Sequence, residues 1–228
     1  MSTVKPRRGS ATSTLLPFIG VVATIGLRTV CMSTVKADQA ARTRQLLVRT
    51  GRRLFTRRGF DGVSSEELVA AAKVTRGALY HHFDGKDGLF REVVADLMRE
   101  LHDRLAAAAV GARSPLDGVE RGVRALLHAC GEPAYQRILF RDGPAVLGWH
   151  EWRALDLQFG LGLLRRGLAE AATAGEIDPP DVETATHLLA GAIVDGAMLI
   201  GREPESAAVR RAVEATMMRF LRGLARSG

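Results

Sequence analysis

The sequence has little cysteine, only Cys31 and Cys130 in 228 residues. Two thiols cannot make a disulfide framework, and their scarcity fits a reducing cytosol. Aromatic residues are few, at 5%. No stretch alternates apolar and polar residues between hairpin turns, so strands are not expected. The signatures of common catalysts are missing as well: there is no HExxH, no GxSxG and no phosphate-binding P-loop. Gly160-Leu-Gly-Leu-Leu-Arg165 fails the dinucleotide fingerprint at its last glycine and follows no strand. His, Cys and acidic residues show no metal-ligand spacing, and the adjacent His81 and His82 diverge on a helix. These absences argue against an enzyme, a metal site or a bound cofactor.

What is abundant is Ala, Leu and Arg, which have the highest helix propensities, within a chain that is 46% hydrophobic. The expected fold class is all-α. The net charge of +7 is unevenly spread. Residues 1–31 carry four basic groups and no acid, residues 32–90 eleven basic and six acidic, and residues 91–228 seventeen basic and nineteen acidic. A basic N-terminal portion on a mildly acidic body points to a polyanionic partner at one end only.

Residues 1–36 differ from the rest. Basic residues precede an apolar run from Leu15 to Leu27, which imitates a signal peptide. The run contains Pro17 and Gly20, is followed directly by Arg28 without a small-x-small site, and is short for a bilayer. Met1-Ser-Thr-Val-Lys5 recurs as Met32-Ser-Thr-Val-Lys36. The segment is therefore read as a disordered extension or as lying upstream of the true start at Met32, with no membrane partner and a cytoplasmic location.

Helical signals begin at about Ala37. Leu47, Gly51, Leu54, Phe55 and Arg58 recur three or four apart, and Arg42, Arg44, Arg49, Arg52, Arg53 and Arg57 crowd the other faces. Gly59 suits the position just past a helix end. Ser64 or Ser65 caps a second helix, and Glu67 stands at capping-box spacing from Ser64. The pattern predicts helix two over about 65–72, a break at Lys73-Val74-Thr75, helix three over about 76–83, and a long helix over about 87–110. Further helices are expected at roughly 116–130, 133–141, 146–174, 181–201 and 205–225, with proline-marked breaks at 178–180 and 202–204.

The segment 64–83, SSEELVAAAKVTRGALYHHF, has the form that reading DNA demands. The major groove admits one helix, which a second helix must hold at a fixed angle through a tight turn. Ala70, Ala71 and Ala72 let the helices cross closely. Val74, Leu79 and Phe83 form the inward side. Thr75 caps helix three and can donate to phosphate, and Arg76 can meet guanine or phosphate. Gly77 leaves room for DNA. Tyr80 and His81 can bond the backbone, Lys86 can meet a phosphate at the next helix start, and Ser65 and Lys73 complete the candidate contacts.

RRLFTRRGFDGVSSEEL (52–68) and VTRGALYHHFDGKDGLF (74–90) resemble the DNA-binding domain of the tetracycline-repressor (TetR) family of bacterial regulators. The resemblance covers residues 38–98, about a quarter of the chain. It implies a three-helix helix-turn-helix head and, over residues 99–228, a helical ligand-binding and dimerisation body. The function it implies is a repressor, released from a palindromic operator in double-stranded DNA by a small molecule. One departure is Lys73, where the family usually has glycine for a positive φ.

In the body, His128, Trp149, Trp152, Phe159, Asp195 and Met198 are candidate ligand contacts. Trp152 and Phe159 are seven apart and share a helical face, although such a stripe also reads as plain core. Asp195 interrupts LLAGAIVDGAMLI (188–200), so it is either a buried carboxylate that needs a partner or an exposed residue at an interface edge. The last two helices carry small residues at 190–192 and apolar Leu188, Leu189, Met217, Phe220 and Leu224, which suit the homodimer interface that the resemblance implies. The alternatives are a DNA-bound activator and a non-specific architectural DNA binder.

Overall fold

The computed structural model describes residues 18–225, with side chains from Ala37 onward. The expectations for residues 1–17 lie outside the described residues. Among those described the chain is helical, with one isolated antiparallel bridge between Ile177 and Ala225. The described residues up to Gln45 make one unit, and those from Leu46 onward make another.

Helix α1 spans Phe18–Arg58, so it starts well before the predicted Ala37. No proline or glycine interrupts the sequence between Leu27 and Thr50, so the helix continues through a stretch whose composition reads as irregular. It ends as predicted, with Gly59 at φ +74.

In the unit from Leu46 onward, the end of α1 packs with α2 (Ser65–Ala72), α3 (Arg76–Phe83) and the start of α4 (Lys86–Ala109). Leu47, Phe55, Leu68, Leu79, Leu89 and Phe90 are fully buried. Phe55, Phe60 and Phe90 cluster with Phe90 edge to face against the other two, centroids 5.0 to 6.0 Å apart. Each large apolar side chain buried this way contributes about 1.5–3 kcal/mol.

Helix α4 buries Leu89, Phe90, Val93, Val94, Leu97, Met98, Leu101 and Leu105. Its lower half packs in the first core and its upper half lines the rest of the chain, so the boundary expected at residue 98 falls inside one continuous helix. The body continues with α5 (Pro115–Ala129), a π-helical segment π1 (Tyr135–Asp142), α6 (Gly143–Leu147), α7 (Trp149–Asp156), a second π segment π2 (Leu157–Leu161), α8 (Gly162–Thr173), α9 (Val182–Arg202) and α10 (Ala207–Arg222). The single helix expected over 146–174 is thus broken. Gly148 takes φ +76, and the π turns add a residue that rephases the faces on either side. A second core gathers Leu127, Leu168, Ile193, Ile200, Met217 and Leu221 from α5, α8, α9 and α10.

Among the described residues one helix, α9, is long and apolar enough to cross a membrane by length and composition. It packs against α5, α8 and α10, and Thr186, Ala197 and Ile200 are buried there.

Candidate nucleic-acid interface and internal cavity

Local chemistry sets the helix-turn-helix. Ser64 Oγ accepts from Glu67 N at 3.1 Å, and Glu67 accepts from Ser64 N at 2.9 Å, which closes the capping box. The Ser64 backbone N–H and then the Arg58 guanidinium hold the Glu67 carboxyl below its ordinary range. Helix α2 ends at Lys73, which adopts the left-handed conformation at φ 53, ψ 43. Val74 N then donates back to Val69 O at 3.0 Å, and the chain turns into α3. Thr75 caps α3, its Oγ1 accepting from Ala78 N at 3.2 Å.

Helix α3 has two sides. Leu79 and Phe83 are buried, while Thr75, Arg76, Gly77, Tyr80 and His81 are exposed. A Cβ added at Gly77 would meet nothing nearer than Thr75 Oγ1 at 3.9 Å, so packing within the protein does not require this glycine. Arg76 lies 3.3 Å from Glu66 and its guanidinium 5.6 Å from the Tyr80 ring centre, with two thirds of its side chain open to solvent. Lys73 is exposed and Ser65 half-buried in the first turn of α2. Lys86 is folded back: its Nζ sits 3.9 Å from the Phe60 ring centre and donates to Phe60 O at 3.3 Å. On α1, Arg49, Arg53 and Arg57 are exposed, whereas Arg52 pairs with Glu100 of α4.

Polar contacts tie the head to the body. Asp142, at the end of π1, accepts from Phe60 N at 2.9 Å. Tyr135 is fully buried; its hydroxyl donates to Glu100 at 2.9 Å and accepts from Arg104 at 3.1 Å. The Arg52 guanidinium and then the Tyr135 hydroxyl hold the Glu100 carboxyl below its ordinary range.

Inside the body lies a cavity of about 590 Å³, within the range of small-molecule sites. Its wall takes Leu101, His102 and Leu105 from α4, Val123 and Leu126 from α5, Leu139 and Phe140 from π1, Trp152 and Asp156 from α7, Phe159 from π2, and Ile193 from α9. Trp152 is buried and donates its Nε1 to Leu139 O at 2.9 Å. His102 Nδ1 lies 2.8 Å from Phe159 O. Burial pushes the Asp156 carboxyl up, against the pull of Arg153 at 2.7 Å.

Two family models match the chain: bacterial regulatory proteins of the tetR family over residues 47–93, and a tetracyclin repressor-like C-terminal domain over residues 116–224. A solved TetR-family transcriptional regulator from Pectobacterium atrosepticum is 31% identical, with a TM-score of 0.71 over 83% of this chain and 97% of that one. The chain belongs to the TetR family. Among curated relatives, the HTH-type transcriptional repressor DhaR of a Mycobacterium species is 37% identical over 71 residues, which is 29% of this chain and 36% of that protein. An HTH-type transcriptional repressor of Mycobacterium tuberculosis is 37% identical over 94 residues, 41% of this chain and 47% of that protein. The chain spans less than half the length of these two relatives.

In this TetR-family chain the structure brings together Thr75, Arg76, Gly77, Tyr80 and His81, and places Lys73 at the turn before them. Of the residues expected to meet a ligand, only Trp152 and Phe159 reach the cavity wall. His128, Trp149, Asp195 and Met198 are a correction, because all four are exposed and none lines the cavity. Trp149 stacks on Trp152 from outside at 5.5 Å, and Asp195 and Met198 lie on the outer face of α9. The residues that sequence reasoning missed are His102 and Asp156. The signal for His102 was present: it interrupts the α4 stripe of Met98, Leu101, Leu105 and Ala109. Asp156 follows Trp152 by one helical turn.

Proposed function

We propose that this protein is a sequence-specific repressor that binds a palindromic operator as a homodimer and is released when a small molecule fills the cavity. The observation that carries the reading is the two-sided α3, locked by buried Leu79 and Phe83 and presenting Arg76, Gly77, Tyr80 and His81 outward. Arg76 suits a base edge or a phosphate, Tyr80 and His81 suit backbone, and Lys73 and Ser65 suit flanking phosphates. Lys86 requires release from Phe60 before it can join them.

Dimerisation is supported by the outer faces of α9 and α10, where Leu188, Met198, Leu199 and Phe220 are exposed. Gly191 lies among them, with open space around it, so a partner helix can approach closely. Pairing α9 and α10 with their symmetry mates makes a four-helix bundle and sets two α3 helices in successive major grooves. Release is supported by α4, which forms one cavity wall with its upper half and packs against α3 with its lower half. A ligand that shifts α4 moves the reading helix with it. A cytoplasmic location fits this DNA-facing role.

The test is selection of bound duplexes from a random DNA pool with the full chain. Enrichment of an inverted repeat is expected, with binding that weakens steeply as salt rises. Salt-sensitive binding without enrichment refutes sequence-specific repression and leaves a non-specific DNA binder.

A further inference from the structure

The chemistry of the cavity wall restricts what can occupy it. The surface is mostly apolar, and its two inner polar side chains are His102 and Asp156. The His102 ring is half-buried on α4, and its Nδ1 lies 2.8 Å from the Phe159 carbonyl. A carbonyl only accepts, so Nδ1 carries the proton, and the remaining polar atom of the neutral ring, Nε2, is an acceptor. Asp156 already has a cation: Arg153 donates to its Oδ2 at 2.7 Å. Its other oxygen lies toward Gly160, where an added Cβ would stand 3.0 Å away. Trp152 Nε1 is spent on Leu139 O, and Ser114 Oγ on Glu176 at 3.0 Å. The other charged lining residues are not inner groups: Arg166 and Glu170 are exposed, and Arg113 is tied to Asp117. The inner surface of the cavity therefore offers acceptors, and the charged lining residues without an ion pair, Arg166 and Glu170, are at exposed positions.

We infer that, if the cavity is the effector site proposed above, it selects an apolar molecule carrying a hydroxyl group that donates its one proton to an inner acceptor, His102 or Asp156, and rejects carboxylates and ammonium ions. A carboxylate would lose its water without finding a donor, and an ammonium would find an acid already neutralised by Arg153. A hydroxyl satisfies a buried acceptor that an unsubstituted hydrocarbon leaves unmet.

Isothermal titration of the full chain with propylbenzene, para-propylphenol, para-propylbenzoate and para-propylbenzylamine tests this. The phenol is expected to bind at least about tenfold more tightly than each of the others, about 1.4 kcal/mol. Of His102→Phe and Asp156→Leu, the one that removes the acceptor in use is expected to reduce that advantage while propylbenzene still binds, and an advantage kept in both variants overturns the inference. Should a variant fail to fold, the ranking on the unaltered protein decides. Equal binding of phenol and propylbenzene, or tighter binding of the benzoate or the amine, overturns the inference and leaves the effector cavity standing. If none of the four binds while operator binding persists, both fail.

Discussion

Lys73 is one of two residues of the reading unit, with Asp84, that hold a left-handed backbone without being glycine. It holds φ 53, ψ 43 at the end of α2, and its N–H closes the helix onto Ala70 O at 3.2 Å. A residue with a Cβ pays roughly 1–2 kcal/mol for that conformation, and glycine does not. Glycine also loosens the unfolded chain, which returns about 0.4–1 kcal/mol. Lys73→Gly is therefore expected to stabilise the protein by about 0.5–1 kcal/mol, a rise in melting temperature of roughly 2–3 °C for a chain of this size. Lys73→Ala keeps the left-handed cost and removes only the exposed ammonium, so it should match the parent within a few tenths of a kcal/mol. Urea titration of the three proteins gives the comparison. In DNA binding the two variants should behave alike: if Lys73 meets a phosphate, each loses about 0.9 from the slope of log affinity against log salt. A glycine variant no more stable than the alanine variant refutes the strain argument. A salt slope that differs between the two refutes the assignment of the effect to charge.

Arg76→Ala should weaken operator binding by about 1–3 kcal/mol and relax preference at one position per half-site, while the unfolding midpoint barely moves, because its Glu66 partner is as exposed as it is. Competition with single-base operator variants checks it. Tyr80→Phe should cost about 1 kcal/mol on all duplexes alike, and a change confined to one base would contradict a backbone contact. The acid limb of stability should follow lowered carboxyls. The Arg113 backbone N–H and side chain, then Arg121, bring Asp117 from 3.8 down to about 2, and Arg52 with Tyr135 lowers Glu100 from 4.5. A carboxyl lowered in the folded state stabilises above its unfolded value and loses that contribution as pH falls through the folded one. Stability should thus hold above about pH 5 and decline toward pH 2. Asp156 runs the other way, since burial raises it and acid relieves its cost. Asp117→Asn should flatten the lowest part of the curve of urea midpoint against pH.

Much of the reading unit was legible because its determinants lie within a few residues of one another. The capping box needs only Ser64 and Glu67, the cap of α3 needs Thr75 and the Ala78 N–H, and the buried side of α3 needs Leu79 and Phe83 one turn apart. The left-handed Lys73, in the three-residue break between α2 and α3, was suggested by the resemblance alone, since the family usually has glycine there. The body was read less well. The stretch 146–174 looks like one helix by propensity, but Gly148 and the π2 segment break it where Trp152 and Phe159 must both turn toward the same cavity.

The sequence by itself determined the helical class, the caps and turn of the reading unit, and the outward set on α3, because hydrogen bonds and periodicity of local range decide them. Tertiary structure alone decided which aromatic faces inward. Trp149 and Trp152 are three residues apart and stack on each other, yet one is exposed and the other buried. It alone also decided that His102 and Asp156, 54 positions apart in sequence, line one cavity, whereas Asp195 in its apolar run faces out. Those outcomes depend on which helices pack against each other and in what phase. That phase is set by side chains filling a shared volume, and a one-dimensional pattern does not encode it.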